Sequence, residues 1–275
     1  MTPEPLLYVY AVVRAAPAPP LPADHPGTAL GEGLTVVEHE GLTAVAEPVD
    51  AGDFGEEPLR TRLEDLDWLA RVARAHHGVV GAVARRTTTV PLRLATVCRG
   101  EEGVRRLLRN GRDPITAALD RVHGAAEWGV KVYVETEPAA GKGATAPDAG
   151  GTPEASGTDG ASGRAFLRRR MQERRARQDR EGEASRTARH LHDRLASRAS
   201  AAVLHPPQQA RLSRAPGRNV LNAAYLVPDR ERETFLEAVP AADDLPQGLR
   251  VDVTGPWAPY SFAQAEPGPD RDPDR

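Results

Sequence analysis

Apolar and polar positions divide this chain into short β-type runs, helical stripes and one long stretch with little to bury. Leu6 to Val13 is a nearly continuous apolar run of β-formers and predicts a buried strand. A proline-rich piece, Ala15 to Pro26, ends it. Leu34 to Glu38 and Leu42 to Ala46, split by Glu40-Gly41, predict a β-hairpin. Leu59, Leu63, Leu66, Leu69, Val72, Ala73, Val79, Val80 and Val83 recur at three- and four-residue steps. That spacing predicts one helix from about Pro58 to Arg86. Thr87 to Val97 reads as a strand, with Pro91 marking a bulge or an edge. Two shorter helices, near Glu101–Arg109 and Pro114–His123, precede a strand from Trp128 to Val134.

From Glu137 to Gly163 there is no Leu, Ile, Val, Met or aromatic residue. Such a segment cannot offset its ordering entropy by burial, so it reads as a flexible linker. The expected division is a domain over residues 1–136, a linker over 137–163, a second domain over 164–265 and a disordered acidic tail over 266–275. The second half opens with a helix from Arg164 to about Ala201, with Gly182 as a point of interruption. A short strand at Gln209–Leu212, a firmer one at Val220–Val227, a helix at Glu231–Val239 and a strand at Leu249–Thr254 follow. The expected fold class is α+β, with two small mixed domains. The N-terminal half is expected to be ferredoxin-like (split βαβ), and the C-terminal half α+β with one long helix.

Composition narrows the class. The chain has 275 residues, 40% of them hydrophobic and 27% charged, as expected of a soluble globular protein. Aromatics make up only 4%, so the core must rest on Leu, Val and Ala. A net charge of −3 provides no global field toward nucleic acid or anionic membrane. Locally the picture differs: Arg164 to Arg198 holds twelve arginines against five carboxylates. The single cysteine, Cys98, permits no intramolecular disulfide, consistent with a reducing cytosol, and reads as a small apolar residue at a strand end. No secretory leader and no run of ~20 apolar residues is visible, so a cytoplasmic protein without a membrane span is expected.

Candidate chemistry is sparse. His76 and His77 are adjacent on a helix and point about 100° apart, so they cannot chelate one metal together. No ligand spacing recurs elsewhere, and neither metal nor cofactor is expected. Ala140 to Thr145 superficially resembles a phosphate loop but lacks its first glycine and its strand–helix setting. Glu127 and Lys131 flank Trp128 on one strand face. They form either an acid–base pair, the enzyme reading, or rim charges beside a packed aromatic, and no second constellation completes a catalytic site. Arg93 sits among apolar neighbours in Pro-Leu-Arg and is expected to pair with Glu127 across the sheet. The basic helix, with Arg168, Arg169 and Arg174 among its arginines, is a solvated face, a surface for protein partners or a nucleic-acid adapter. Because no aromatics interleave with the arginines from Arg168 to Arg177, no nucleic-acid partner is expected. Finally, Gly255-Pro256-Trp257-Ala258-Pro259 follows a strand directly. Its prolines hold Trp257, Tyr260 and Phe262 in a stiff extended turn, either a plug over the C-terminal core or an aromatic docking edge.

These segments, in this order, resemble the gas vesicle protein family GvpL/GvpF. The likeness is carried by Tyr8-Val9-Tyr10, the hairpin Gly41-Leu42-Thr43-Ala44-Val45, His76 with Val79-Val80, and Pro91-Leu92-Arg93-Leu94-Ala95-Thr96. Glu127-Trp128-Gly129-Val130-Lys131-Val132, Asn222 to Val227, and Thr254-Gly255-Pro256-Trp257 to Phe262 complete it. The family more usually has Phe-Gly in place of Leu94-Ala95 and Pro in place of Ala258, which leaves the F-like or L-like subtype open. The resemblance implies an accessory protein needed to build gas vesicles, the protein-walled gas-filled organelles of prokaryotic cytoplasm. It implies a two-domain α+β fold without catalysis, cofactor or small-molecule substrate. The implied partners are the main gas vesicle shell protein and other accessory gas vesicle proteins.

Overall fold

The computed structural model describes residues 5–15, 30–31, 33–135, 159–207 and 217–263. In chain order the elements begin with β1 (Leu6–Arg14), β2 (Thr35–His39), β3 (Leu42–Val49), α1 (Ala51–Phe54), α2 (Glu56–Arg62) and α3 (Leu66–Ala84). Next come β4 (Thr89–Pro91), β5 (Val97–Arg99), α4 (Gly100–Asn110), α5 (Arg112–Arg121) and β6 (Ala125–Val134). The remainder are α6 (Asp159–Ala196), β7 (Ala201–Leu204), β8 (Arg218–Pro228), α7 (Arg232–Glu237), β9 (Leu249–Trp257) and α8 (Tyr260–Ala263). The class is α+β with antiparallel sheets, as the sequence predicts.

The chain forms two compact units, and both are discontinuous. One comprises Met1–Trp128, Leu226–Arg232 and Thr254–Arg275; the other comprises Gly129–Tyr225 and Glu233–Val253. The expected cut at a single linker therefore does not describe them, because 254–263 belongs with the N-terminal residues. The expected linker and tail, and the strand expected at Gln209–Leu212, lie almost wholly outside the described residues.

In the first unit, β1 is the central strand of a five-stranded sheet ordered β2-β3-β1-β4, with β5 also paired to β1. Every pairing of β1 is antiparallel. A register irregularity between Val9 and Ala11 switches the phase of the strand. As a result Leu7, Val9 and Val12 join the cluster of Val104, Leu108, Ile115 and Leu119 from α4 and α5. Tyr8, Tyr10, Ala11 and Val13 join Phe54, Trp68, Val72, Val79 and Val80 from α1 and α3. Helices thus cover both faces of the strand, which explains its unbroken apolar run. The hairpin turns at Glu40 (φ 44°) and Gly41 (φ 82°), the left-handed pair that a two-residue connection requires.

Two elements differ from the sequence expectation. The helix predicted over Pro58–Arg86 is broken, because the Asp65 carboxylate accepts from the backbone N–H groups of Asp67 and Trp68 and starts α3 afresh. Those bonds hold the Asp65 carboxyl below its ordinary range. Leu63 and Leu66, counted in the apolar stripe, end up exposed at the break. The strand predicted over Thr87–Val97 is likewise split, by a turn in which Ala95 takes φ 61°.

In the second unit, α6 runs 38 residues without interruption at Gly182, roughly 55 Å at 1.5 Å per residue. Ala184, Ala188, Leu191 and Leu195 form its buried stripe. His192 Nδ1 lies 2.8 Å from the Tyr225 hydroxyl, and Tyr225 packs on Phe235. β6, β8 and β9 lie in a four-stranded sheet ordered β7-β8-β6-β9. β7, an edge strand, falls where the sequence reading ends the long helix.

Candidate protein-interaction site

The residues singled out from sequence divide into buried anchors and exposed groups. Phe262 and Trp128 are buried, at 5% and 6% exposure. Neither can meet a partner in the folded protein, so their place as contact residues is corrected to that of core anchors. Trp128 lies under the guanidinium of Arg232, 5.7 Å from its ring centroid. Ala258 packs in the cluster on the α3 face and Ala263 in the cluster on the opposite face. The plug reading therefore holds for these residues, but it closes the first unit's core rather than a C-terminal one.

Glu127 is engaged by Ser261. Its Oε2 accepts from the Ser261 backbone N–H at 2.8 Å, and its Oε1 accepts from the Ser261 hydroxyl at 2.8 Å. Arg121 adds a hydrogen bond from Nη1 to the Phe262 carbonyl at 2.9 Å. Arg93 stands exposed on the turn after β4, so the expected Arg93–Glu127 pair is replaced by Glu127–Ser261. Lys131 is half-buried on β6, within the second unit.

Trp257 is the aromatic that stays exposed, at 43%. The Gly255–Pro256 peptide before it is cis, and Gly255 has φ 137°. A Cβ on Gly255 would meet the Glu127 carbonyl oxygen at 2.9 Å and the Trp128 ring at 3.0 Å, so only glycine lets β9 approach β6 there. Trp257 packs against His77, with centroids 5.1 Å apart, and Tyr260 stacks on the same imidazole at 6.0 Å. His77, exposed on α3, is thus the pivot of an aromatic ridge. The sequence offered His76-His77 as a doublet but no sign of this contact with a distant segment.

Beside the ridge lies a groove of about 470 Å³ lined by Ala73, His76, His77, Pro91, Leu92, Arg93, Leu94 and Tyr260. It brings together two of the sequence-selected residues, Arg93 and Tyr260. Leu94 is exposed at its rim. His76 is buried beneath, at 3% exposure, with Nδ1 3.0 Å from the Tyr8 hydroxyl. Burial pulls the His76 pKa down to about 4, against a nearby Leu92 carbonyl and with a small contribution from His77. Burial also pushes Tyr8 up to about 12 and raises Tyr260, so these hydroxyls stay protonated. A larger hollow of about 760 Å³ lies on the Trp257 side, with Arg85, Thr87 and Thr89 in its wall.

The other candidate residues lie on α6. The described arginines of its first half, including Arg168, Arg169 and Arg174, are exposed, as is Met171 at 65%. Among the described residues, no group of three or more His, Cys, Asp or Glu could hold a metal ion. No described helix is long and apolar enough to cross a membrane.

Comparison with known proteins covers nearly the whole chain. The model of the family described as gas vesicle synthesis protein GvpL/GvpF matches residues 6–264. Gas vesicle protein L of Streptomyces sp. (strain CB03234) is 49% identical over 271 residues, covering 96% of this chain and 94% of that protein. Gas vesicle protein F of Haloferax mediterranei is 23% identical over 269 residues, 96% of each chain. The crystal structure of GvpF from Anabaena sp. PCC7120 superposes with a TM-score of 0.57 at 18% identity, covering 96% of this chain and 98% of that one. GvpF from Microcystis aeruginosa gives 0.55 at 19% identity, with 94% and 99% covered. These two structures share the fold.

Proposed function

We propose that this chain, which belongs to the gas vesicle synthesis GvpL/GvpF family, is a non-catalytic accessory protein of gas vesicle assembly that grips other gas vesicle proteins, the hydrophobic shell protein first among them. The observation that carries this reading is the exposed Trp257, held by His77 beside an apolar groove. A gas-tight wall needs a small, very apolar subunit, and such a subunit aggregates unless its strand edges and apolar face are masked before assembly. Rigid aromatics beside a groove supply contact area at little entropic cost. The exposed arginines of α6 add a basic face for acidic surfaces on other accessory proteins. Its place of action is the cytoplasm, at the growing vesicle.

A nucleic-acid role would use the same arginines, but no aromatic residue stands in the sequence between Arg168 and Arg177 to serve as a stacking platform. Deletion of the gene in a vesicle-forming host, followed by complementation, tests the proposal. Loss of vesicles on deletion and their return with the wild-type chain support it. Unchanged vesicle number and shape after deletion contradict it.

A further inference from the structure

The groove between α3 and the turn at Pro91–Leu94 carries more than apolar walls. The Tyr8 hydroxyl accepts from the Ala95 backbone N–H at 3.1 Å and lies 3.0 Å from His76 Nδ1. In the tautomer in which the Tyr8 hydroxyl donates to Nδ1, the neutral imidazole carries its own proton on Nε2. That Nε2–H is buried and has no hydrogen-bond partner. The Leu92 carbonyl favours a proton on the ring but does not complete a bond to Nε2. The Tyr260 hydroxyl, in the same groove, is also buried and unpartnered. An unmet buried donor costs about 1–3 kcal/mol, so two in one groove favour an acceptor there. Arg93 lies at the rim, and among the described residues no carboxylate pairs with it.

We infer that this groove takes an extended segment of a partner gas vesicle protein in which a Glu side chain lies next to an apolar residue. The carboxylate accepts from His76 Nε2–H and the Tyr260 hydroxyl and pairs with the Arg93 guanidinium. The apolar neighbour lies against Leu92 and Leu94. Donors from His76, Tyr260 and Arg93 line one groove, and the full positive charge among them favours an anion over a neutral amide. The apolar walls lower the local dielectric and strengthen that preference. The inference rests on the protein-partner reading for the source of the segment, while the groove's chemistry stands on its own geometry.

The test titrates the full-length protein with two peptides blocked at both ends, acetyl-Leu-Glu-Val-amide and acetyl-Leu-Gln-Val-amide, and follows the His76 imidazole nitrogens by NMR. The Glu peptide is expected to move the His76 Nε2–H resonance and to bind at least about tenfold more tightly than the Gln peptide. Arg93→Gln, a surface change, is expected to remove that preference while leaving the Gln peptide's affinity unaltered. Equal binding of the two peptides, no movement of the His76 resonance, or a preference that survives Arg93→Gln overturns the inference. So does tighter binding of acetyl-Leu-Val with a free terminal carboxylate, which would assign the groove to a chain end. Co-purification of the shell protein with the same samples separates the two ideas. If it persists while the peptides fail, only the groove assignment falls.

Discussion

Ser261 binds both oxygens of the Glu127 carboxylate, through its backbone N–H and its hydroxyl, each at 2.8 Å. A residue on β6 thereby fixes the start of α8, a segment 134 residues further along the chain. The bond explains why a glutamate precedes the buried Trp128: it orients the turn that presents Trp257.

Removing this clasp tests that account. Glu127→Ala is expected to destabilise the protein by about 1–3 kcal/mol, since it leaves the Ser261 donors without their acceptor. Ser261→Ala deletes the hydroxyl bond to Glu127 while keeping the backbone one, and is expected to cost about 1 kcal/mol. Chemical denaturation of both variants measures the difference.

A second clasp lies under the sheet. Glu47 is fully buried, and its carboxylate accepts from the Tyr10 hydroxyl at 2.5 Å, the Leu30 N–H at 2.9 Å and the Gly33 N–H at 3.2 Å. Tyr10→Phe is expected to cost about 1–3 kcal/mol, and Glu47→Ala more, because three donors lose their partner together. Thermal melts should rank the variants in that order.

The buried His76 sets a pH dependence with a definite sign. Folding lowers its pKa from 6.5 to about 4. As the pH falls below about 6.5 the unfolded chain takes up the proton first, so stability drops until the folded pKa near 4 is reached. The full contribution is on the order of 3 kcal/mol. In urea titrations between pH 7 and pH 4, His76→Phe should lose less stability than the wild type by up to that amount. An equal loss in both would show that His76 does not titrate in this way.

The arginine face of α6 should act through charge. Binding of an acidic accessory protein is expected to weaken by about tenfold or more when ionic strength rises from 50 mM to 500 mM. Arg168→Glu combined with Arg174→Glu should flatten that salt dependence, as surface plasmon resonance can record.

Local signals in the sequence account for most of the elements. Glu40-Gly41 between two β-type runs marked the hairpin, and the structure puts both residues at positive φ. The heptad-like leucines hid the break at Asp65, because the periodicity runs through Leu63 and Leu66 while the cap depends on one carboxylate. Ala201 to Leu204 gave no warning of a strand, since alanines next to a helix read as its last turn. At the candidate site the aromatic residues were legible, but their exposure was not. Phe262 and Trp257 stand five residues apart, yet one is buried and the other open, and only the packing against Glu127, Arg121 and His77 separates them. Contacts between distant segments decide exposure, and no local pattern encodes them.

On the proposed function, Trp257 touches a gas vesicle protein partner. The most direct test of this contact is co-purification of the shell protein with the full chain carrying Trp257→Ala, once circular dichroism and thermal melts match the wild type. Because Trp257 is already 43% exposed, little stability should be lost, whereas a central interface tryptophan is worth about 2 kcal/mol or more of binding. The account predicts that shell protein recovery falls by at least about tenfold. Full recovery with a folded variant would contradict it.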